Sequence, residues 1–364
     1  MSKQFTVGKM VVEGTGGEGA VYEVGGQTDL LFKKYKPGRC DDELVKKLRY
    51  MTSHVPVVDD PMSHFAWPEH VMEDSTGPVG FLMPKLKFDR KLDEVYAFRR
   101  PWLGDVDYLP NLYRSRVKVA RNLCVMVKLA HENHFVIGDF NHGNVGVDSK
   151  TGIVSMFDCD SFHLANGVYR CRVGMPGYIA PELLAHVHSG NTDDLGRAVL
   201  PTFTEYTDLF ALAVHIFRLL MNGVPPYSGI DPSLTSSTAT IGAGNAPVEA
   251  GAYCFAGSLK PMSPLCPPMT ILPDIFAQYF MRAFLGTPSR RPTAIEWIKV
   301  LDAYEKNLRV CSKSRRHWYH KGLTCCPWCE ADVRQQQVDN HQTRTDFTVK
   351  RQSGYEAQHL FAEC

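Results

Sequence analysis

The first ninety residues of the chain follow a strand-like pattern that turn residues interrupt. Apolar runs at residues 21–24 and 30–32 are separated by glycine turns. One amphipathic helix follows, because Leu44, Leu48 and Met51 recur at helical spacing. From about residue 111 onward, helical periodicity dominates. The sequence therefore predicts an α+β protein in which a small antiparallel sheet precedes a mainly helical part.

Composition narrows the range of partners. The chain has 364 residues, 44% of them hydrophobic, and a formal net charge of +1. No long run of one charge sign occurs, so we expect neither nucleic acid nor a membrane surface as a partner. The first residues lack the apolar core of a signal peptide, and the best apolar stretch, 209–224, contains His215 and Arg218. We therefore expect a cytoplasmic protein.

A glycine-rich turn joins the first two predicted strands. Gly14, Gly16, Gly19 and Val21 match the pattern G-x-G-x-x-G-x-V, in which small residues let backbone N–H groups approach phosphates. By itself the match is weak, since a glycine-rich hairpin explains it equally well. A dinucleotide-binding fold would require a helix after the glycines, whereas a strand follows here.

The third predicted strand ends in a lysine pair. Lys33 is placed to meet nucleotide phosphates, Lys34 is its rival, and Glu43 on the following helix is the expected partner of Lys33. Farther on, residues 80–86 are typical of a last strand that runs into a hinge. Met83 and Leu86 there are candidate contacts for an adenine base.

The strongest stretch combines carboxylates with an amide. Asp139 and Asn144 have the spacing D-x-x-x-x-N, and Asp158 and Asp160 follow after a short strand and a turn. Phosphoryl transfer needs one carboxylate for the acceptor hydroxyl, and an amide oxygen with a second carboxylate for Mg²⁺. Spacing favours Asp158 over Asp160 as the metal ligand. In a regular strand the two carboxylates would share one face, roughly 6–7 Å apart.

Later motifs make a family resemblance specific. Residues 174–182 resemble G-T-P-x-Y-x-A-P-E, residues 208–212 resemble the start of a central helix, and residues 290–293 resemble a closing R-P-T motif. In this order, over about residues 8–306, the motifs resemble the protein-kinase superfamily. The chain also looks like a bacterial subgroup with D-x-D-S-F in place of D-F-G and a C-terminal C-P-x-C module.

The resemblance implies a two-lobed protein-kinase fold. It places a small antiparallel N-lobe at 1–88 and a helical C-lobe at 89–306. A zinc-binding module at 307–332 and a polar, partly disordered tail at 333–364 complete this division. It also implies a buried ion pair between Glu182 and Arg291.

The resemblance further implies the reaction and its cofactors. ATP would bind with Mg²⁺ held by Asn144 and Asp158, Lys33 would hold phosphates, and Asp139 would orient the hydroxyl of a protein Ser/Thr substrate. Asp160 would contribute to the nucleotide site.

Three departures from the family pattern leave alternatives open. Gly138 stands where an arginine usually precedes the catalytic aspartate, which makes the chain non-RD. Asn141 and Met175 replace groups expected near a Ser/Thr acceptor. A small-molecule phosphotransferase of the aminoglycoside-kinase type is the first alternative, and a pseudokinase scaffold is the second.

The cysteines after residue 310 form a cluster with zinc-ligand spacing. Its members are Cys311, His317, Cys326 and Cys329. A C-x-x-C pair opposite a Cys/His pair suits tetrahedral Zn²⁺, and His320 and Cys325 could substitute for their neighbours. A redox role is the alternative, although no βαβ pattern surrounds the cysteines. We expect a structural site where a regulatory partner could dock.

Overall fold

A computed structural model of the chain describes residues 6–13, 19–57, 63–75, 77–96, 113–164, 167–188, 202–233 and 244–337. The strands are β1 (Val7–Glu13), β2 (Gly19–Val24), β3 (Gln27–Tyr35), β4 (Ser63–Phe65), β5 (His70–Asp74), β6 (Gly77–Pro84), β7 (Arg90–Lys91), β8 (Val145–Val147), β9 (Val154–Met156), β10 (Gly229–Ile230), β11 (Lys260–Pro261), β12 (Leu308–Val310) and β13 (Trp318–His320). The helices are α1 (Asp42–Ser53), α2 (Tyr113–Glu132), α3 (Pro181–His188), α4 (Glu205–Leu220), α5 (Ala246–Glu249), α6 (Asp274–Phe284), α7 (Ala294–Lys306) and α8 (327–337).

The N-terminal part is an antiparallel five-stranded sheet with one helix. Its strand order is β1-β2-β3-β6-β5. The helix α1 begins where Asp41 Oδ1 accepts a hydrogen bond from Leu44 N at 2.8 Å. Its buried face carries Val45, Leu48 and Met51, and also a charged residue, Lys47. The predicted antiparallel sheet and its single amphipathic helix are thus present.

The C-terminal part is mainly helical and contains the larger core. Helix α2 packs against α4 and α7, and a smaller sheet of order β4-β9-β8-β7 lies beside it. One continuous hydrophobic cluster extends from Met51 and Phe65 to Trp328 and Ala331. The described residues after α4 also contain short elements, namely the β10–β11 pair and α5, and Tyr253 between α5 and β11 is buried.

The Cys/His segment is joined to the helical core. The hairpin β12–β13 precedes α8, and Trp328 of α8 is 1% exposed. Its ring lies 4.4 Å from that of Tyr113 at the start of α2, centroid to centroid. Tyr113 N also donates to Arg316 O at 3.1 Å. This segment therefore covers part of the helical core.

Two expectations fall partly outside the described residues. The first is the glycine-rich turn, since Gly14 and Gly16 are not among the described residues. The second is the polar tail, of which residues 338–364 are not described. Among the helices that the structure describes, none combines the length and the apolar character needed to cross a bilayer.

Candidate active site

Lys33 lies at the centre of the candidate site. Its Nζ donates to Asp158 Oδ1 at 2.9 Å and to the two carboxylate oxygens of Asp160 at 2.9 and 2.7 Å. Tyr35 Oη donates to Asp160 Oδ2 at 2.5 Å. Lys33 is buried, whereas Lys34 is exposed on the other face of β3. The strand alternation thus selects Lys33 over its rival.

A sharp turn brings the two aspartates to the same lysine. Asp158 has a left-handed backbone with φ of 53°, which aspartate adopts more readily than most residues. Cys159–Ser161 then forms a single 3₁₀ turn. The expectation that Asp158 and Asp160 sit on a regular strand is therefore wrong. The turn shortens the distance between the carboxylates, so that both reach Lys33 Nζ.

The two carboxylates differ strongly in their exposure. The side chain of Asp158 is 49% exposed and that of Asp160 is 5% exposed. Both oxygens of Asp160 accept hydrogen bonds from Lys33 or Tyr35, while the half-exposed carboxylate of Asp158 remains accessible to solvent. Asp160 thus has the surroundings of a buried anchor, and Asp158 those of a group that can bind an incoming cation.

Mutual compensation explains how these charges tolerate burial. Burial disfavours the ammonium ion of Lys33, but the fields of Asp160 and Asp158 outweigh it and raise the pKa of Lys33 above its ordinary value. Burial likewise opposes ionisation of Asp160, yet Lys33 holds the pKa of that carboxyl below its usual range. The pair is therefore charged at neutral pH.

The expected pair between Lys33 and Glu43 does not form. Glu43 lies in the first turn of α1, its side chain is 63% exposed, and it pairs with Arg172 instead. One turn farther along α1, Lys47 is the charged residue that faces inward. The acidic partner of Lys33 comes from the 3₁₀ turn at Asp160 rather than from α1, because the inward position of α1 holds a lysine.

Asp139 and Asn144 are brought together in the loop before β8. Asn144 Nδ2 donates to the backbone oxygen of Asp139 at 3.1 Å and to its Oδ2 at 3.3 Å. The amide oxygen of Asn144 is thereby left as the group that can bind a metal ion. Backbone N–H of Met175 donates to Asp139 Oδ1 at 3.0 Å. Sequence reasoning missed this contact, since a side chain does not supply it.

A buried aspartate on α4 fixes this loop. Asp208 is fully buried, and its carboxylate accepts from Ile137 N at 2.8 Å and Gly138 N at 2.9 Å. Gly138 has a φ of 77°, and a Cβ there would lie 2.7 Å from Cys171 Sγ. An arginine at this position would therefore require both an unfavourable backbone and a displaced neighbour. The loop geometry gives a physical reason for the departure at Gly138.

An apolar cluster lies next to the charged groups. Val21, Met83, Leu86 and Phe157 belong to it or pack against it. Gly19, also predicted, sits where β2 approaches β3 so closely that a Cβ would lie 2.3 Å from Lys34 O. Such a surface beside a buried cation, an accessible carboxylate and an amide oxygen fits a nucleotide with its Mg²⁺ ion.

One further cation of the site was missed. Lys91 Nζ donates to Gly143 O at 2.8 Å and lies 4.5 Å from the ring centroid of Phe157. Burial lowers the pKa of Lys91, and the charge of Asp158 partly offsets that effect. Its partner is a backbone oxygen, which a motif search does not reveal.

The predicted ion pair between Glu182 and Arg291 is present. Arg291 Nη1 and Nη2 donate to the two carboxylate oxygens of Glu182 at 2.6 and 2.8 Å. Arg291 Nη1 also donates to Tyr206 O at 2.8 Å. This bidentate pair ties the start of α3 to the end of the helical core.

The structure also brings the Cys/His cluster together. One ligand atom from each of Cys311, His317, Cys326 and Cys329 lies within 4.8 Å of all the others. Cys329 Sγ is 3.5 Å from Cys311 Sγ and 3.6 Å from His317 Nδ1. Tetrahedral zinc with bonds of about 2.0–2.3 Å places its ligands roughly 3.5–3.8 Å apart. The donor set therefore fits such an ion.

The surroundings of this cluster fit a metal as well. His317 Nε2 lies 3.1 Å from Asp332 Oδ2, so a carboxylate faces the ring nitrogen that is turned away from the cysteines. Lys313 N donates to Cys311 Sγ at 3.3 Å. Both features are typical of the groups that orient metal ligands.

Comparison with known proteins relates the chain to a named kinase. It is 33% identical to protein kinase YegI of Escherichia coli strain K12 over 345 residues, which cover 88% of this chain and 48% of that relative. The protein kinase YegI of E. coli O157:H7 is 32% identical with the same coverage. The chain thus spans about half the length of the curated relatives it matches. No protein-family model matches it. This homology supports a kinase-family relationship.

Proposed function

We propose that the chain is an ATP-dependent protein kinase that transfers the γ-phosphoryl group to Ser or Thr hydroxyls of protein substrates. The observation that carries the proposal is the contact of Lys33 with both Asp158 and Asp160, beside the Asp139–Asn144 pair. This set provides the cation, the carboxylates and the amide that phosphoryl transfer needs. The relationship to proteins named as kinases supports the same class of reaction.

Each residue has a distinct role in this proposal. ATP bound with Mg²⁺ supplies the phosphoryl group, and Asn144 and Asp158 are the residues that would hold the ion. Lys33 neutralises phosphate charge, and Asp160 keeps it charged and in place. Asp139 orients the acceptor hydroxyl and accepts its proton, with Met175 N and Asn144 fixing the carboxylate.

The protein acceptor is proposed from the segment that follows the catalytic groups. Residues 174–182 contact Asp139 through Met175, and the Glu182–Arg291 pair anchors their end to the helical core. A segment held at both ends can serve as a platform for an extended peptide. A third contact holds the middle of this segment to α4, because Arg218 Nη1 donates to Tyr178 Oη at 2.5 Å.

Zinc is proposed as the metal of the Cys/His cluster. Three sulfur donors and one imidazole suit Zn²⁺ better than the oxygen-preferring Mg²⁺ or Ca²⁺. With four protein ligands the site has no open position, so its role is structural. A regulatory partner is proposed to dock on this module.

The proposal is tested by phosphoryl transfer from labelled ATP to bacterial lysate proteins and to a mixed small-metabolite pool. Wild type should label proteins on Ser and Thr, as mapped by mass spectrometry. Asp139→Asn should retain ATP binding and lose at least about a hundredfold in transfer rate, since an amide cannot accept the proton. Asp274→Asn, an exposed change on α6, is the matched control.

Two outcomes would reject the proposal. Undiminished labelling by Asp139→Asn would remove Asp139 from the reaction. Label confined to small metabolites would instead establish the small-molecule phosphotransferase.

A further inference from the structure

A cavity of about 280 Å³ lies between the end of β3, the first turns of α1, residues 160–161 and residues 169–173. Its lining shares Tyr35, Lys47 and Asp160 with the surroundings of Lys33. It includes neither Lys33 nor Asp158, so it adjoins the nucleotide site proposed above and shares only the buried Asp160 with its charged groups. Its volume suits a small molecule rather than a peptide.

The charged groups of this cavity do not balance. Its acidic members already have partners: Asp41 caps α1, Glu43 pairs with Arg172, and Asp160 accepts from Lys33. The basic members outnumber them by four to three, and are Arg39, Lys47, Arg170 and Arg172. Lys33 and Asp158, which lie behind Asp160 and pair with each other, leave this balance unchanged, so the lining carries one more positive than negative charge.

Lys47 is the deepest of these cations. Its side chain is buried, with the residue 6% exposed, and no hydrogen bond or ion pair reaches its Nζ within the described part of the chain. The negative charge of Asp160 acts on Lys47, but that carboxylate accepts its hydrogen bonds from Lys33 and Tyr35. Burial lowers the pKa of Lys47 to about 8, so it remains largely protonated at neutral pH. A buried ammonium ion in this state has no directly bonded counter-ion among the described residues.

We propose that this cavity binds a small phosphate-bearing anion, with Lys47 as its buried counter-charge and the arginines at its rim. A guanidinium group matches the geometry of phosphate oxygens. Arg39 at the rim is exposed and has no ion pair within the described part of the chain, so its guanidinium is available to such a ligand. The anion would bridge Lys47 of α1 and the arginines at residues 170 and 172.

Calorimetric titration with inorganic phosphate and with glycerol 3-phosphate tests this site. The full chain is used, both alone and saturated with Mg²⁺ and a non-hydrolysable ATP analogue. Binding should persist under both conditions. Lys47→Met should weaken it about tenfold or more, since a charge-assisted hydrogen bond is lost. Lys46→Met, the exposed neighbour on α1, should change it less than about twofold.

Chemical labelling gives a second measurement on wild-type protein. Inorganic phosphate should protect Lys47, but not Lys46, from an amine-modifying reagent, as quantified by peptide mass spectrometry. If Lys47→Met does not fold, as judged by circular dichroism, this protection and the rim variant Arg39→Gln still test the site. Arg39→Gln should weaken phosphate binding by about threefold, as expected of an exposed charge.

The source of the phosphate is distinguished by intact mass. Protein that binds phosphate without any covalent phosphoryl group takes up a free anion. If the protein binds phosphate only after phosphatase treatment, the cavity was occupied before by a phosphoryl group attached to the protein's own chain. The proposal is overturned if phosphate fails to protect Lys47, or if the ATP analogue abolishes phosphate binding.

Discussion

The charged groups around Lys33, called the cleft below, comprise Lys33, Asp158 and Asp160. They and the Cys/His cluster are assembled in opposite ways. In the cleft, Lys33 and Asp160 are 127 positions apart and come from a strand and a 3₁₀ turn. In the cluster, all four members lie between Cys311 and Cys329. Metal-ligand side chains that lie close together in the sequence can therefore be recognised from their spacing. Pairs formed across the fold depend on how whole elements pack.

The two regions also differ in how their burial is compensated. Lys33 and Asp160 neutralise each other within the protein, and Lys47 adds a second buried cation. The cysteines and His317 face one another without an opposite charge among them, so a metal ion would supply it. The cleft should therefore respond to loss of a charge, and the cluster to loss of its metal.

The largest effect should separate Asp160 from Asp158. Asp160→Asn removes the buried carboxylate that pairs with Lys33 and should lower the free energy of unfolding by about 3–5 kcal/mol. Asp158→Asn acts on a half-exposed carboxylate and should cost less than about 1 kcal/mol. Urea denaturation measures both.

For nucleotide binding, the Asp158 variant should have the larger effect and the Asp160 variant the smaller one. Asp158→Asn should lose the Mg²⁺-dependent part of ATP binding, measured by titration with and without the ion. If Asp160→Asn loses that part while Asp158→Asn keeps it, the metal ligand is Asp160 and the assignment made here is wrong.

Removing the metal cluster should have the next largest effect. Cys326→Ser together with Cys329→Ser should abolish one bound zinc per chain, measured by elemental analysis. Because Trp328 lies between these cysteines and packs on Tyr113, the change should also lower Tm by roughly 5–10 °C. The helical circular dichroism of the core should remain.

A neighbouring cysteine provides the control for this variant. Cys325 is exposed and lies outside the four-member group, so Cys325→Ser should leave zinc content and Tm unchanged. The zinc assignment would be contradicted if wild-type protein contained no metal as purified and its Tm did not change when zinc was added.

Lys47 should produce a stability effect that depends on pH. Its pKa falls from 10.5 to about 8 through burial, with Asp160 and Cys171 opposing the fall and Arg172 and Lys33 adding to it. Between these values the unfolded chain binds more protons, so stability should rise with pH relative to Lys47→Met. The gain should approach about 3 kcal/mol by pH 10.5. If the free energy of unfolding varied with pH in the same way for the two proteins, burial would not shift the pKa of Lys47.

The smallest effect should follow from Glu43→Gln. Glu43 pairs with Arg172 at the exposed surface of α1, so its loss should change unfolding free energy by less than about 0.5 kcal/mol. ATP affinity should stay within about twofold of wild type. A large loss of ATP affinity would indicate that Glu43 moves to Lys33 when nucleotide binds.

Local patterns account for what the sequence determined. Periodicity predicted the antiparallel sheet and α1, because strand and helix residues recur at fixed intervals. Spacing grouped Cys311, His317, Cys326 and Cys329, since a short segment can bring such donors together without help from distant elements. The apolar run at residues 30–32 predicted a strand ending in a lysine pair, and the burial of Lys33 in the structure then chose it over Lys34.

Only the tertiary structure decided which charges meet. Helical spacing puts Lys47 on the apolar face of α1, three residues after Leu44 and four before Met51, but it does not show which acidic group meets Lys33. The packing of the 3₁₀ turn gave that role to Asp160 and left Glu43 in solvent. The left-handed backbone at Asp158 brought both aspartates to Lys33, where a regular strand would have separated them. Backbone contacts, such as Met175 N to Asp139, depend on loop paths that long-range packing fixes. These pairings arise between elements, and their energies depend on burial that no single segment determines.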